Sequence, residues 1–331
     1  MTHKAPEEIL EPDRRIIDAH HHLIDAAGHR YTIEDYSADC ARGHDVEASV
    51  YIEVRQKYFE EGPEHLRPVG ETAFVASVAE KAEQGAYEGR RLCAGIVGYA
   101  DLEIGDRVAD VLDAHIQAAG GRFRGIRRGV YWDSDPAVYD HVSVRPPRGL
   151  LLDAEFQRGF AQLGPRDLSF DAVLFHPQIM ELAQLASRFP QTTIIVNHLG
   201  FRLGVGAHAR NRDETDRRWR QELAALAEYP NVLVKVGGLG MRIWGFEIPE
   251  GERPDSVALA EHWRPYFESS LEIFGVDRVI LESNYPVDAQ TTTFITLWNA
   301  LKRLTEKLSD DEKHRLYWAN ANKAYRLGLS L

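Results

Sequence analysis

Eight short, β-branched apolar runs recur along this 331-residue chain, separated by longer stretches of helical character, and that alternation leaves few folds open. The runs are Arg15–Leu23, Ala48–Val54, Cys93–Leu102, Phe123–Val130, Ser169–His176, Thr192–Gly200, Asn231–Gly238 and Arg278–Asn284. Helices are expected at Glu71–Glu88, Val108–Ala119, Pro177–Arg188, Trp219–Glu228, His262–Phe274 and Phe294–Lys307. A closing helix is expected at Ser309–Leu327, where Ser309 and Glu312 make a capping-box pattern. Repeated βα units predict parallel strands, and eight of them predict closure into a distorted (β/α)8 TIM barrel, an α/β fold in one domain over residues 1–331. An open doubly wound sheet is the competing architecture. Four long segments, Arg55–Gly70, Tyr131–Gly149, Phe201–Arg218 and Leu239–Ala260, follow strand C-termini, the face on which barrel enzymes carry their chemistry.

A formal charge of −12 opposes nucleic-acid binding, although a locally basic pocket can still take an anionic small molecule. Cys40 and Cys93 are too few for a disulfide scaffold and read as buried thiols. The polar, acidic start lacks a signal-peptide core, and no apolar run has membrane-spanning length. The expectation is a cytoplasmic protein with a small-molecule partner, no membrane or nucleic-acid partner, and no bar to homo-oligomerisation. Gly237-Gly238-Leu239-Gly240 is not a phosphate loop, and no Gly-x-Ser-x-Gly elbow occurs.

The histidines carry the chemical signal. The first run ends in Asp18-Ala19-His20-His21-His22. Alternation along a strand gives Asp18, His20 and His22 one face and His21 the other. Two imidazoles at i and i+2 suit a borderline divalent ion. His176 closes the fifth run and His198 the sixth, so three strand ends converge on one point. Taken singly, His176 and His198 each read more readily as structural histidines.

The D-x-H-x-H first strand, the histidines ending strands five and six, and an acidic segment on the eighth strand resemble the amidohydrolase superfamily. The similarity spans Ile16 to Leu327 and leans toward the lactonase-rich branch, with its sugar lactonases, 2-pyrone-4,6-dicarboxylate lactonase and sulfomuconolactone hydrolase. Ile17–Leu23, Phe123–Arg127, Val196–Gly200 and Leu281–Asp288 carry it. The resemblance implies His20 and His22 as metal ligands, His176 as a third ligand or substrate contact, and His198 as the group polarising the scissile carbonyl or holding its ring oxygen. It implies one divalent ion, Zn2+ or Mn2+, with metal-free hydrolysis left open because some relatives work without one. The family's eighth-strand aspartate falls on Asn284, which cannot accept a proton at neutral pH. Asn197 likewise stands where many relatives carry aspartate. Asp288, Glu53 or the deeper Glu282 are the carboxylates available to replace it.

Arg124, Arg127 and Arg128 end the fourth strand, and guanidinium forks suit carboxylates. Strand parity separates Arg127 from the other two, and the resemblance points Arg127 into the pocket. Arg127 and Arg128 are therefore candidate substrate-binding residues. Trp132, Trp244 and Phe246 lie in rim segments and are candidates to wall a cyclic substrate. The expected reaction is attack of activated water on a cyclic ester or related acyl bond of a small acidic substrate. Non-oxidative decarboxylation of an aromatic acid, amide or nitrogen-ring hydrolysis, and a catalytically silent binding barrel are the alternatives.

Overall fold

The computed structural model describes residues 7–26, 28–142, 144–249 and 251–330. Eight parallel strands lie side by side in chain order: β1 (Ile16–His21), β2 (Val46–Ile52), β3 (Arg91–Gly98), β4 (Phe123–Gly129), β5 (Ser169–Val173), β6 (Ile194–Val196), β7 (Val232–Val236) and β8 (Val279–Leu281). The first and last strands meet just beyond β8. The Asn284 N–H donates to His20 O (2.8 Å), the His22 N–H donates to Tyr285 O (2.8 Å), and His21 bridges to Tyr285. This contact brings the sheet round into a barrel and removes the open-sheet alternative. A small hairpin, Ile24–Ala26 with His29–Tyr31, follows β1.

Helices α1 (Ile33–Cys40), α2 (Val69–Glu83), α3 (Val108–Ala118), α4 (Ala154–Phe160), α5 (Ile179–Arg188), α6 (Arg212–Ala227), α7 (Ser256–Phe274) and α8 (Phe294–Leu304) connect the strands and cover the barrel. Several differ from the expected spans for local reasons. Helix α6 starts at Arg212 rather than Trp219 because its first two turns are almost wholly charged, which hides them from apolar periodicity. Helix α7 starts at Ser256, where the Asp255 carboxylate accepts from the Ala258 N–H. The closing helix is broken: α9 (Asp310–His314) has the expected Ser309–Glu312 box, then a π turn at Arg315–Ala319 leads into α10 (Asn320–Ala324). No described helix is long and apolar enough to cross a membrane.

Two cores result from strand alternation. Outward residues such as Phe170, Ala172, Val232, Val234 and Val236 pack under the helices. Inward residues Ile17, Ala19, Val50, Ile52, Ile195 and Ile280 fill the lower lumen, and Trp318, Ala321 and Tyr325 of the C-terminal segment join the same cluster. The outward residues leave Asp171 of β5 and Lys235 of β7 pointing into the lumen, above an apolar floor. Replacing Trp318, which is 3% exposed, by alanine is expected to cost about 3–5 kcal/mol in urea denaturation. A loss below about 1 kcal/mol would show that this side chain does not close the floor.

Candidate active site

The strands set a buried polar layer just above that floor. Glu282 follows β8 with the inward parity of Ile280 and is fully buried. Its Oε1 lies 2.5 Å from His198 Nδ1, and its Oε2 lies 2.9 Å from His20 Nδ1 and 3.5 Å from Lys235 Nζ. Lys235 Nζ in turn meets Asp171 Oδ1 at 2.9 Å. The same Asp171 oxygen accepts from Tyr325 Oη at 2.8 Å and Asn197 Nδ2 at 3.0 Å. Burial alone would raise the Glu282 pKa, but His198 and Lys235 hold it below the ordinary glutamate range.

Local backbone geometry makes room for this pair. His198 lies in a turn after β6 rather than in a strand, at φ +52°, and Asn284 is at φ +53°. Left-handed backbone is uncommon outside glycine and gathers at functional sites. Gly237 and Gly238 at the end of β7 are the seats. A Cβ on Gly237 would lie 2.2 Å from Glu282 Cγ, and one on Gly238 would lie 2.5 Å from His198 Nδ1.

Above the layer is a cavity of about 540 Å³ lined by His22, Glu53, Arg127, His198 and Asn284, among others. Arg127 Nε donates to Glu53 Oε1 (2.9 Å), its Nη2 donates to the Glu53 carbonyl, and its Nη1 is 3.4 Å from His20 Nε2. Glu53 Oε2 is buried without a hydrogen-bond partner. His20 touches the cavity group from below, with its Nε2 3.1 Å from His22 Nε2. Burial first, then Lys235 beside His20 and Arg127 beside His22, pushes both imidazoles well below their ordinary pKa, so both are neutral.

The remaining sequence candidates are placed elsewhere. His176 does not line the cavity: it opens the turn after β5, accepts from the Leu203 N–H at its Nδ1 (3.3 Å) and packs edge-on against His208, which pairs with Asp133 (2.9 Å). Asp288 is buried behind Asn284, accepting from Asn284 Nδ2 (2.8 Å) and the Gly240 N–H (3.0 Å). Arg128 turns the other way, onto Glu103 and the Tyr99 ring. Trp132 lies under Arg148, and Trp244 is buried, donating from Nε1 to Gly238 O (2.9 Å) and stacking on Phe246. Asp18 does not share the face of His20 and His22. A register irregularity between Asp18 and His21 breaks the alternation, and Asp18 accepts from Tyr36 Oη and Ser283 instead.

Whether the residues fit a divalent ion follows from their proton positions. Ile52 O can only accept, so His22 Nδ1 (2.8 Å away) carries the proton and its Nε2 offers a lone pair. If His20 carries its proton at Nδ1, 2.9 Å from Glu282 Oε2, its Nε2 lone pair faces that of His22, and only a proton or a cation between them relieves the repulsion. Two nitrogens on a tetrahedral zinc stand roughly 3.3 Å apart, near the spacing seen here. His20, His198 and Glu282 also place ligand atoms within 4.8 Å of one another. The carboxylate and carbonyl behind these imidazoles are the partners that metal-bound histidines use. The donor set fits a divalent ion, with Arg127 as a competing cation.

The sequence reading held Glu282 in reserve and missed Lys235, Asp171 and Tyr325. The available signals were a lysine and an aspartate inside β-branched runs at inward positions, and paired glycines at a strand end.

The whole chain has relatives. A family model described as Amidohydrolase matches residues 17–327. An uncharacterized protein, y4mH, of Sinorhizobium fredii is 33% identical over 337 residues, covering 95% of this chain and 99% of that one. An L-fucono-1,5-lactonase of Burkholderia multivorans is 26% identical over 326 residues, covering 94% and 96%. A crystal structure of a Burkholderia multivorans amidohydrolase with bound zinc shares the fold, at a TM-score of 0.72 and 22% identity, covering 94% of this chain and 99% of that one.

Burial raises the Asp288 pKa to about 8, against the opposing pull of the Gly240 N–H and Asn284, and raises Asp18 to about 6 and Glu71 to about 7. These three groups therefore hold more protons in the folded chain than in the unfolded chain from roughly pH 4 upward. The stability contributed by these groups is full below that pH and lost as pH rises through their folded values. Buried His20, His21, His22, His44, His115 and His176, held below their ordinary pKa, work in the opposite sense up to about pH 7. Unfolding free energy is therefore expected to fall only between about pH 7 and pH 8, and Asp288→Asn is expected to flatten that fall. An unchanged slope in urea titrations of the variant would assign the protons to other groups.

Proposed function

The chain belongs to the amidohydrolase family, and from that premise we propose that it hydrolyses a lactone of a small organic acid, with His198 activating the attacking water. The observation that carries this reading is the 2.5 Å contact between His198 Nδ1 and Glu282 Oε1 at the edge of the cavity. A carboxylate at Nδ1 fixes the proton there, so Nε2 is the free acceptor, and the same carboxylate stabilises the imidazolium that forms. Water attacks the acyl carbon as His198 takes its proton. The ring C–O bond then breaks, and the imidazolium returns the proton to the leaving alkoxide, giving a hydroxy acid.

The other lining groups have matching tasks. Arg127, held in place by Glu53, polarises the acyl oxygen and stabilises the developing oxyanion. Glu53 Oε2, a buried acceptor without a protein donor, takes a hydrogen bond from the water. Asn284 cannot remove a proton. Asp288 orients it by accepting from its amide, and that leaves the base role to His198. A divalent ion, zinc or manganese, would be held by His20 and His22 Nε2, and when bound it supplies Lewis-acid polarisation of the acyl oxygen or of water. The lactonase relative and the zinc-bound structural neighbour support this reading.

A panel of sugar-acid and aromatic-acid lactones, assayed with metal content measured on the same preparation, tests it. Glu282→Gln and His198→Ala are each expected to lower kcat about a hundredfold to ten-thousandfold, and Asp288→Asn by less than about tenfold. Loss of activity in Asp288→Asn with Glu282→Gln spared would move the base role to Asp288. No hydrolysis of any lactone by a folded protein that still binds organic acids would favour a binding barrel.

A further inference from the structure

One cation on the cavity wall remains unused. Arg55, just beyond β2, lines the cavity at φ +61° with its guanidinium 4.8 Å over the Tyr99 ring. Among the described residues it has no ion-pair partner within 4.0 Å, although Asp140 lines the same cavity. The neighbouring guanidiniums are already engaged: Arg127 is held by Glu53 and committed to the acyl oxygen in the mechanism above, and Arg128 is paired with Glu103. An unpaired guanidinium facing a cleft and stacked on an aromatic ring is set to receive a carboxylate.

The wall has a second feature. Val142, Val144, Val173, Phe201, Met241 and Val287 line the cavity. A ring hydroxyl that meets this apolar part of the wall, rather than the Tyr131, Asp140 or His141 that also line the cavity, loses its water and gains no partner, which costs about tenfold or more in affinity per group. Flat hydrocarbon or unsaturated rings lose nothing there and gain from burial.

We propose that Arg55 is the carboxylate receptor of this site and that the cavity selects a carboxylated ligand with an apolar ring over a polyhydroxylated one. The reaction performed on that ligand rests on the lactone reading above; the recognition does not. Calorimetric titration of the full chain with benzoate, glucuronate and benzamide tests it. These probes separate ring hydroxylation from carboxylate charge. Benzoate is expected to bind at least about tenfold more tightly than glucuronate or benzamide. Arg55→Gln is expected to weaken benzoate about tenfold to a hundredfold, with an unchanged thermal midpoint, and Arg55→Lys to recover part of the loss. Absence of benzoate binding, glucuronate binding as tightly as benzoate, or an Arg55→Gln affinity within about twofold of wild type would overturn the proposal. Lactone hydrolysis by the same preparation is read separately, so a failed lactonase assay with benzoate recognition intact sinks only the reaction.

Discussion

The site is organised around one fully buried carboxylate, Glu282, and the cations and imidazoles that keep it ionised. Removing a carboxylate from water costs several kcal/mol unless charge and hydrogen bonds replace the solvent. Here Lys235 supplies the charge from β7, and His198 and His20 supply contacts from β6 and β1. Lys235 is buried in its turn and is balanced by Asp171 of β5, which Tyr325 and Asn197 also bind. Five barrel segments and the C-terminal plug are thereby tied to a single charge arrangement. Moving the segment that carries Glu282, Lys235 or Asp171 would leave an unpaired charge in the lumen.

This arrangement gives a physical reason for the departure at Asn284. A carboxylate at that position would stand beside buried Asp288, whose pKa burial already raises to about 8. A second carboxylate in contact with it would be equally hard to ionise, so an amide that donates to Asp288 fills the position without adding charge to the layer. Glu282, two residues upstream and just beyond β8, is the buried acid of this layer, and in the proposed mechanism it acts through His198 rather than directly on what enters the cavity.

The imidazole pair of His20 and His22 is compatible with two states. With a proton on His20 Nε2 the pair is a simple hydrogen bond, and Lys235 donates to the free Nδ1. With the proton on Nδ1 the two lone pairs converge and a divalent ion is the natural occupant. Arg127 Nη1, 3.4 Å from His20 Nε2, can only donate there, so it favours the lone pair of the second state and competes with an ion for it. The competition between a fixed guanidinium and an ion for the same nitrogen is a local electrostatic matter that donor identity alone does not decide.

How much was legible in the sequence depends on the length scale of each signal. Strand alternation and βα periodicity are properties of five to fifteen consecutive residues, so the sequence alone determined the barrel, the shared face of His20 and His22, and the separation of Arg127 from Arg128. Charged first turns hid the start of α6, and a bulge in β1 carried Asp18 away from its expected face, because local patterns average over such irregularities. His176, Trp244 and Asp288 looked like site residues from their place at strand ends or rims, yet each is buried in packing contacts of its own. Only the tertiary structure brought Glu282, Lys235, Asp171 and Tyr325 together, since their pairing is a demand of the low-dielectric lumen and not of any local segment. The fold was written in periodicity; the chemistry was decided by which buried charges had to be neutralised across the barrel.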